Sequence, residues 1–162
     1  MKRANKLSFI LTLVAAIMVF FVSPVLSQEE ANDMPSLLKK AKEDKKFIVA
    51  ANLELTESEA KEFWPVYEKY QRELTTINVR IAALIESYAA EYRANTLTDE
   101  KAKELTAELV AIGKAEGELP ASYLPELSKV LPPKKVARYL QIENKIRAAI
   151  RYELAATIPV VP

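Results

Sequence analysis

The sequence predicts an all-α fold of long, kinked helices in a small, open arrangement. Three observations predict it. Apolar residues beyond the first 27 positions recur at intervals of three and four, the repeat of a helix face, and no segment keeps the two-residue alternation of a strand. Glycine occurs only at Gly113 and Gly117, so the chain is poor in the residue that most often ends helices and builds tight turns. Helix-start signals and proline breaks divide the remainder into a few long stretches.

Residues 1–27 form a separate segment. Lys2, Arg3 and Lys6 precede an uncharged run from Leu7 to Val22, which Pro24 ends, and Val25-Leu26-Ser27 suits a cleavage site before Gln28. That layout predicts a cleavable secretory signal. The run is shorter than the ~20 apolar residues that span a bilayer. The expectation is delivery to the periplasm, no stable membrane insertion after cleavage, and a single helical domain over 28–162. With no cysteine near the site, lipid attachment is not expected.

The first helix is expected over 35–51. Asp33 can cap it, Pro35 fits its opening turn, and Leu37, Leu38, Ala41, Phe47, Ile48 and Ala51 are its apolar positions. The second, 57–94, opens on Thr56-Glu57-Ser58-Glu59, a capping box in which hydroxyl and carboxylate each bond a backbone N–H of the other residue. Phe63, Tyr67, Tyr70, Leu74, Ile77, Ile81, Leu84 and Tyr88 then alternate by four and three, the seam of a helix packed lengthwise on another. Pro65 lies inside it and predicts a kink or break.

The third helix, 99–130, follows Leu97 with Thr98 as its cap. Its stripe is Leu105, Leu109, Ile112, Glu116, Leu119, Tyr123, Leu127 and Val130, with one charge. Gly113, Gly117, Pro120 and Pro125 all lower helix propensity, which predicts an interruption near 117–122. Leu131-Pro132-Pro133 marks the next turn, with Pro133 suited to a first helical turn. A last helix follows over 133–156, with Val136, Tyr139, Leu140, Ile142, Ile146, Ala149, Ile150 and Leu154 as apolar positions, and an extended tail over 157–162.

Composition narrows the function. There is no histidine and no cysteine, which removes the commonest general base, the thiol nucleophile and the usual transition-metal ligands. With two glycines no phosphate-cradling loop can form. An enzyme is not expected, nor a cofactor or metal. Of 23 basic and 22 acidic residues the leader holds three and none, leaving 20 against 22. That balance gives no footprint for nucleic acid.

Leu55-Thr56-Glu57-Ser58-Glu59 and Leu131-Pro132-Pro133-Lys134-Lys135 open two helices, and Tyr123 to Leu131 leads into the second. Over roughly residues 53–153 this order resembles the paired Leu-Thr-x-x-Gln motifs of the Spy/CpxP-like periplasmic proteins. Glu59 stands where the family has Gln, and Pro132 and Lys135 stand for Thr and Gln, so the second cap must be built differently. The resemblance implies a small helical protein paired as an antiparallel homodimer with a cradle-like surface. It also implies either an ATP-independent chaperone that holds unfolded envelope proteins or an envelope-stress protein. A dedicated adaptor for one envelope partner is the alternative.

The aromatic seam has two readings. A helix stripe is normally core-facing, but aromatic side chains with polar handles also suit a contact surface. The candidate client or partner contacts are Phe63, Trp64, Tyr67, Tyr70, Tyr88, Tyr123 and Tyr139, with Arg147 and Arg151 as a basic rim. Against the rim stands a solvated edge whose arginines pair with Glu143 and Glu153.

Overall fold

The computed structural model describes residues 34–161, so the signal predicted over 1–27 lies outside the described residues. The fold is all-α: four helices, α1 (Met34–Leu53), α2 (Glu57–Ala94), α3 (Asp99–Val130) and α4 (Pro133–Thr157), with no strand among the described residues. Among them no helix is long and apolar enough to cross a membrane.

The caps act as their chemistry requires. Thr56 is extended at φ −69° and ψ 164°, its hydroxyl accepts from the Glu59 N–H at 3.2 Å, and Glu59 Oε2 accepts from the Thr56 N–H at 2.8 Å. α2 ends on Asn95 in the left-handed region at φ 53°, a conformation that Asn tolerates better than most residues. The Asn95 and Thr96 N–H groups then donate to the carbonyls of Tyr92 and Glu91. Thr98 repeats the hydroxyl cap at α3, accepting from the Lys101 N–H at 3.2 Å.

Neither predicted break occurs. α2 runs unbroken through Pro65, and α3 runs unbroken through Gly113, Gly117, Pro120 and Pro125. A helix-interior proline costs about 3 kcal/mol and a glycine about 1 kcal/mol relative to alanine. Burial on either side offsets this: Ile112, Glu116, Leu119, Tyr123 and Leu127 form one buried row straight through the predicted gap. Pro65 and Pro125 are exposed, so water can reach the carbonyls that their missing N–H groups leave. The Ser122 hydroxyl also donates to the Leu119 carbonyl at 2.8 Å.

Contacts divide the chain into two compact units. In the first, α1 and the Ala137–Pro159 stretch run antiparallel, tied by Lys45 to Glu143 and by Arg138 Nη1 donating to the Asn52 carbonyl at 3.1 Å. Val49, Leu53 and Tyr139 are fully enclosed here, and Ile48 and Ile146 nearly so. Arg138 thereby supplies a donor to the Asn52 carbonyl, which at the end of α1 has no helical partner.

The second unit, Leu55–Val136, is an antiparallel hairpin of α2 and α3 that also takes in the start of α4. Lys69–Glu126, Glu73–Tyr123 and Arg80–Glu108 fix its register. The α2 seam faces inward as its spacing predicts: Phe63, Tyr67, Tyr70 and Ile77 are buried, and Leu74, Ile81, Leu84 and Tyr88 are half-buried. Burial fades toward the hairpin tip. Leu109, assigned to the α3 stripe from its spacing, is 59% exposed. Two helices alone bury one row each, so flanking positions of a stripe stay in water.

Candidate functional site

The two helix-start motifs meet in the second unit. Lys135 Nζ lies 2.6 Å from Glu59 Oε2, the same oxygen that accepts the Thr56 N–H. These are the two positions where the resembled family carries Gln, joined here by opposite charges. The pair is partly shielded, with side chains 22% and 19% exposed. The second cap is indeed built differently: the Pro132 carbonyl accepts from the Lys135 and Val136 N–H groups at 2.9 and 3.1 Å, and Pro133 opens the helix. Leu131 is buried, while Leu55 and Leu97 are half-buried.

The Lys135 hydrogen bond, and then the Thr56 N–H, hold the Glu59 carboxyl below its ordinary 4.5. A depressed carboxyl stabilises the fold above that ordinary value, and the contribution is lost as pH falls through the folded value. Wild type is therefore expected to lose stability below about pH 4.5 more steeply than Glu59→Gln, in urea unfolding at neutral and acid pH. Thr56→Ala should cost about 1 kcal/mol at neutral pH.

The aromatic residues form two groups in this unit. Phe63, Trp64 and Tyr67 cluster with ring centroids 5.1 to 5.9 Å apart, Trp64 meeting Tyr67 edge-on at 86°. Tyr70 meets Tyr123 edge-on across the hairpin at 5.3 Å, a favoured geometry for ring pairs. The Tyr123 hydroxyl donates to Glu73 Oε1 at 2.5 Å. Burial, reinforced by the neighbouring Glu73 carboxylate, pushes this phenol up to about 12. A raised phenol gives stability that is complete below its ordinary 10.0 and lost as pH rises toward 12. In an ultraviolet pH titration, Tyr123→Phe should remove one tyrosine from the late, high-pH part of the ionisation curve.

Most of the aromatic residues expected at a contact surface are buried within their units. Phe63, Tyr67, Tyr70 and Tyr123 are buried in the second unit, and Tyr139 is fully buried in the first, so they serve packing. The reason is that the seam is consumed by the chain's own helices. Trp64 and Tyr88 remain half-buried, and Tyr88 stacks obliquely near Tyr92 at 5.8 Å. Of the basic rim, Arg147 is half-buried and Arg151 exposed. Glu143, expected on a solvated edge, is instead 2% exposed and held by Lys45 from α1 at 2.8 Å.

The apolar surface lies elsewhere. In the first unit Phe47 and Tyr152 are 65% and 73% exposed. In the second, Val79, Leu109, Val110, Leu124 and Tyr92 are exposed. Sequence reading missed Val110 and Leu124 because both fall off the recognised stripe. The signal available was an uncharged run of α3 positions on the face away from that stripe. An open cleft of 330 Å³ in the first unit is lined by Asn52, Glu54, Arg138, Gln141, Ile142 and Lys145. Among the described residues no group of three or more His, Cys, Asp or Glu is placed to hold a metal ion. Comparison with known proteins finds no matching family model, no matching curated protein and no matching solved structure.

Proposed function

We propose that this chain is an exported, ATP-independent protein-binding chaperone of the Spy/CpxP-like kind, acting as a homodimer in the periplasm on partly unfolded envelope proteins. The observation that carries this reading is the exposed set of large apolar side chains on charged helices: Phe47, Val79, Leu109, Val110, Leu124 and Tyr152. Apolar area removed from water contributes roughly 25 cal/mol per Å², while neighbouring charges speed encounter. The meeting of Glu59 and Lys135 at the two motif ends supports the family likeness.

One observation favours the second reading, a dedicated adaptor for a single envelope partner. The aromatic seam is core, so less apolar surface remains for varied clients. Light scattering separates the two. Two unrelated proteins are unfolded with and without equimolar purified protein and no nucleotide. Suppression of both supports the chaperone. No effect on either, with the protein folded by circular dichroism, moves the assignment to the adaptor.

A further inference from the structure

The open cleft of the first unit carries charges of opposite sign on its two walls. One wall is the end of α1, with Asn52 and Glu54; the other is α4, with Arg138, Gln141, Ile142 and Lys145. Arg138, Gln141 and Lys145 stand at three- and four-residue steps, so their donors project from one side of the helix. Arg138 Nη1 donates to the Asn52 carbonyl at 3.1 Å, which anchors the guanidinium at the cleft and leaves its other N–H groups for a ligand. Neither Arg138 nor Lys145 makes an ion pair among the described residues, so the charges of the two walls are not joined to each other. Glu54 lies one step past the end of α1, in the left-handed region at φ 49°. Helices most readily end there on Gly or Asn, and any larger residue is strained. Glu54 therefore keeps at the cleft a carboxylate that the backbone alone disfavours. The carbonyls at the end of α1 add partial negative charge to the same wall.

We infer that this cleft binds a small zwitterion, an amino acid or short peptide, with its carboxylate on Arg138, Gln141 and Lys145 and its ammonium on Glu54. A carboxylate accepts from several donors at once, which suits the three donors of α4. The opposed walls select against simpler ions: Glu54 repels a plain anion, and Arg138 and Lys145 repel a plain cation. Ile142, half-buried beside Gln141, gives an apolar ligand side chain a surface to lie on. The volume of 330 Å³ is at the small end of ligand sites and limits the ligand to a few residues. The inference is independent of the proposed holding activity.

Calorimetric titration of protein produced from the full-length sequence with the dipeptide Gly-Leu tests it. The dissociation constant should be ~1 mM or tighter. Acetylating the dipeptide's amine, or amidating its carboxyl, should each weaken binding at least ~10-fold, the usual weight of a hydrogen bond to a charged group. Lys145→Gln should weaken Gly-Leu by a similar factor with the urea midpoint unchanged, since Lys145 is exposed. Glu54→Gly should also weaken it, while the urea midpoint holds or rises because glycine relieves the left-handed backbone. A purely structural role for Glu54 would instead lower the midpoint. No heat with Gly-Leu at ~10 mM, or binding that both capped forms match, overturns the inference. So does inorganic phosphate binding as tightly as Gly-Leu, which would make the cleft a plain anion contact. Binding that Lys145→Gln and Glu54→Gly both leave unchanged lies elsewhere and overturns this site. None of these results touches the light-scattering outcome.

Discussion

Replacing Tyr70 by alanine should lower stability by about 3–5 kcal/mol, the usual cost of deleting a buried large aromatic side chain. Tyr70 is fully enclosed, and its ring meets Tyr123 edge-on across the α2–α3 hairpin. Deletion removes both the burial and the ring pair, worth about 0.5–1.5 kcal/mol in itself. Against a total of 5–15 kcal/mol for a small protein, this is a large fraction. Phe63→Ala belongs to the same class, since Phe63 is also 0% exposed. Phe47→Ser is the contrast: at 65% exposure it should move stability by less than about 0.5 kcal/mol. Urea midpoints of the three variants decide the matter. A loss below 1 kcal/mol for Tyr70→Ala would mean that its ring faces a partner surface. The expected large loss means that binding must be sought on the exposed residues.

The α2 seam was legible because alternation by four and three has one meaning for a helix packed lengthwise on another. The Thr56 and Thr98 caps were legible because a hydroxyl before a helical run has few other uses. The continuity of α3 was not. Propensity at Gly113, Gly117, Pro120 and Pro125 argues for a break, and only the buried row from Ile112 to Leu127 reveals what outweighs it. The burial of the aromatic residues was not legible for a related reason. Spacing shows which residues share a face, but not whether the chain's own helices cover it. Tyr139 and Tyr123 are covered, while Leu109 on a recognised stripe is not. Glu143 sits between Tyr139 and Ile146 at four- and three-residue steps, so its inward position could be suspected. Nothing in the run of charges from Lys39 to Lys46 marked Lys45 as its partner.

That buried pair gives the second large effect. Lys45 and Glu143 lie 2.8 Å apart, with side chains 13% and 2% exposed. Lys45→Met should cost roughly 3–5 kcal/mol, because it removes the ammonium from a carboxylate that cannot reach water. The reverse deletion is not equivalent. In Glu143→Leu the lysine keeps some exposure and a flexible stem, so its charge can turn outward and the cost should be clearly smaller. Replacing both, as Lys45→Met with Glu143→Leu, removes the desolvation cost of both ions along with their attraction. Such swaps are often neutral or stabilising, so the double variant should recover most of what Lys45→Met loses. Denaturant unfolding of the three variants yields the coupling directly. Equal costs for the two single changes, with no recovery in the double, would mean that Glu143 reaches water and that the pair adds little to the apolar contacts of Val49, Leu53, Tyr139 and Ile146.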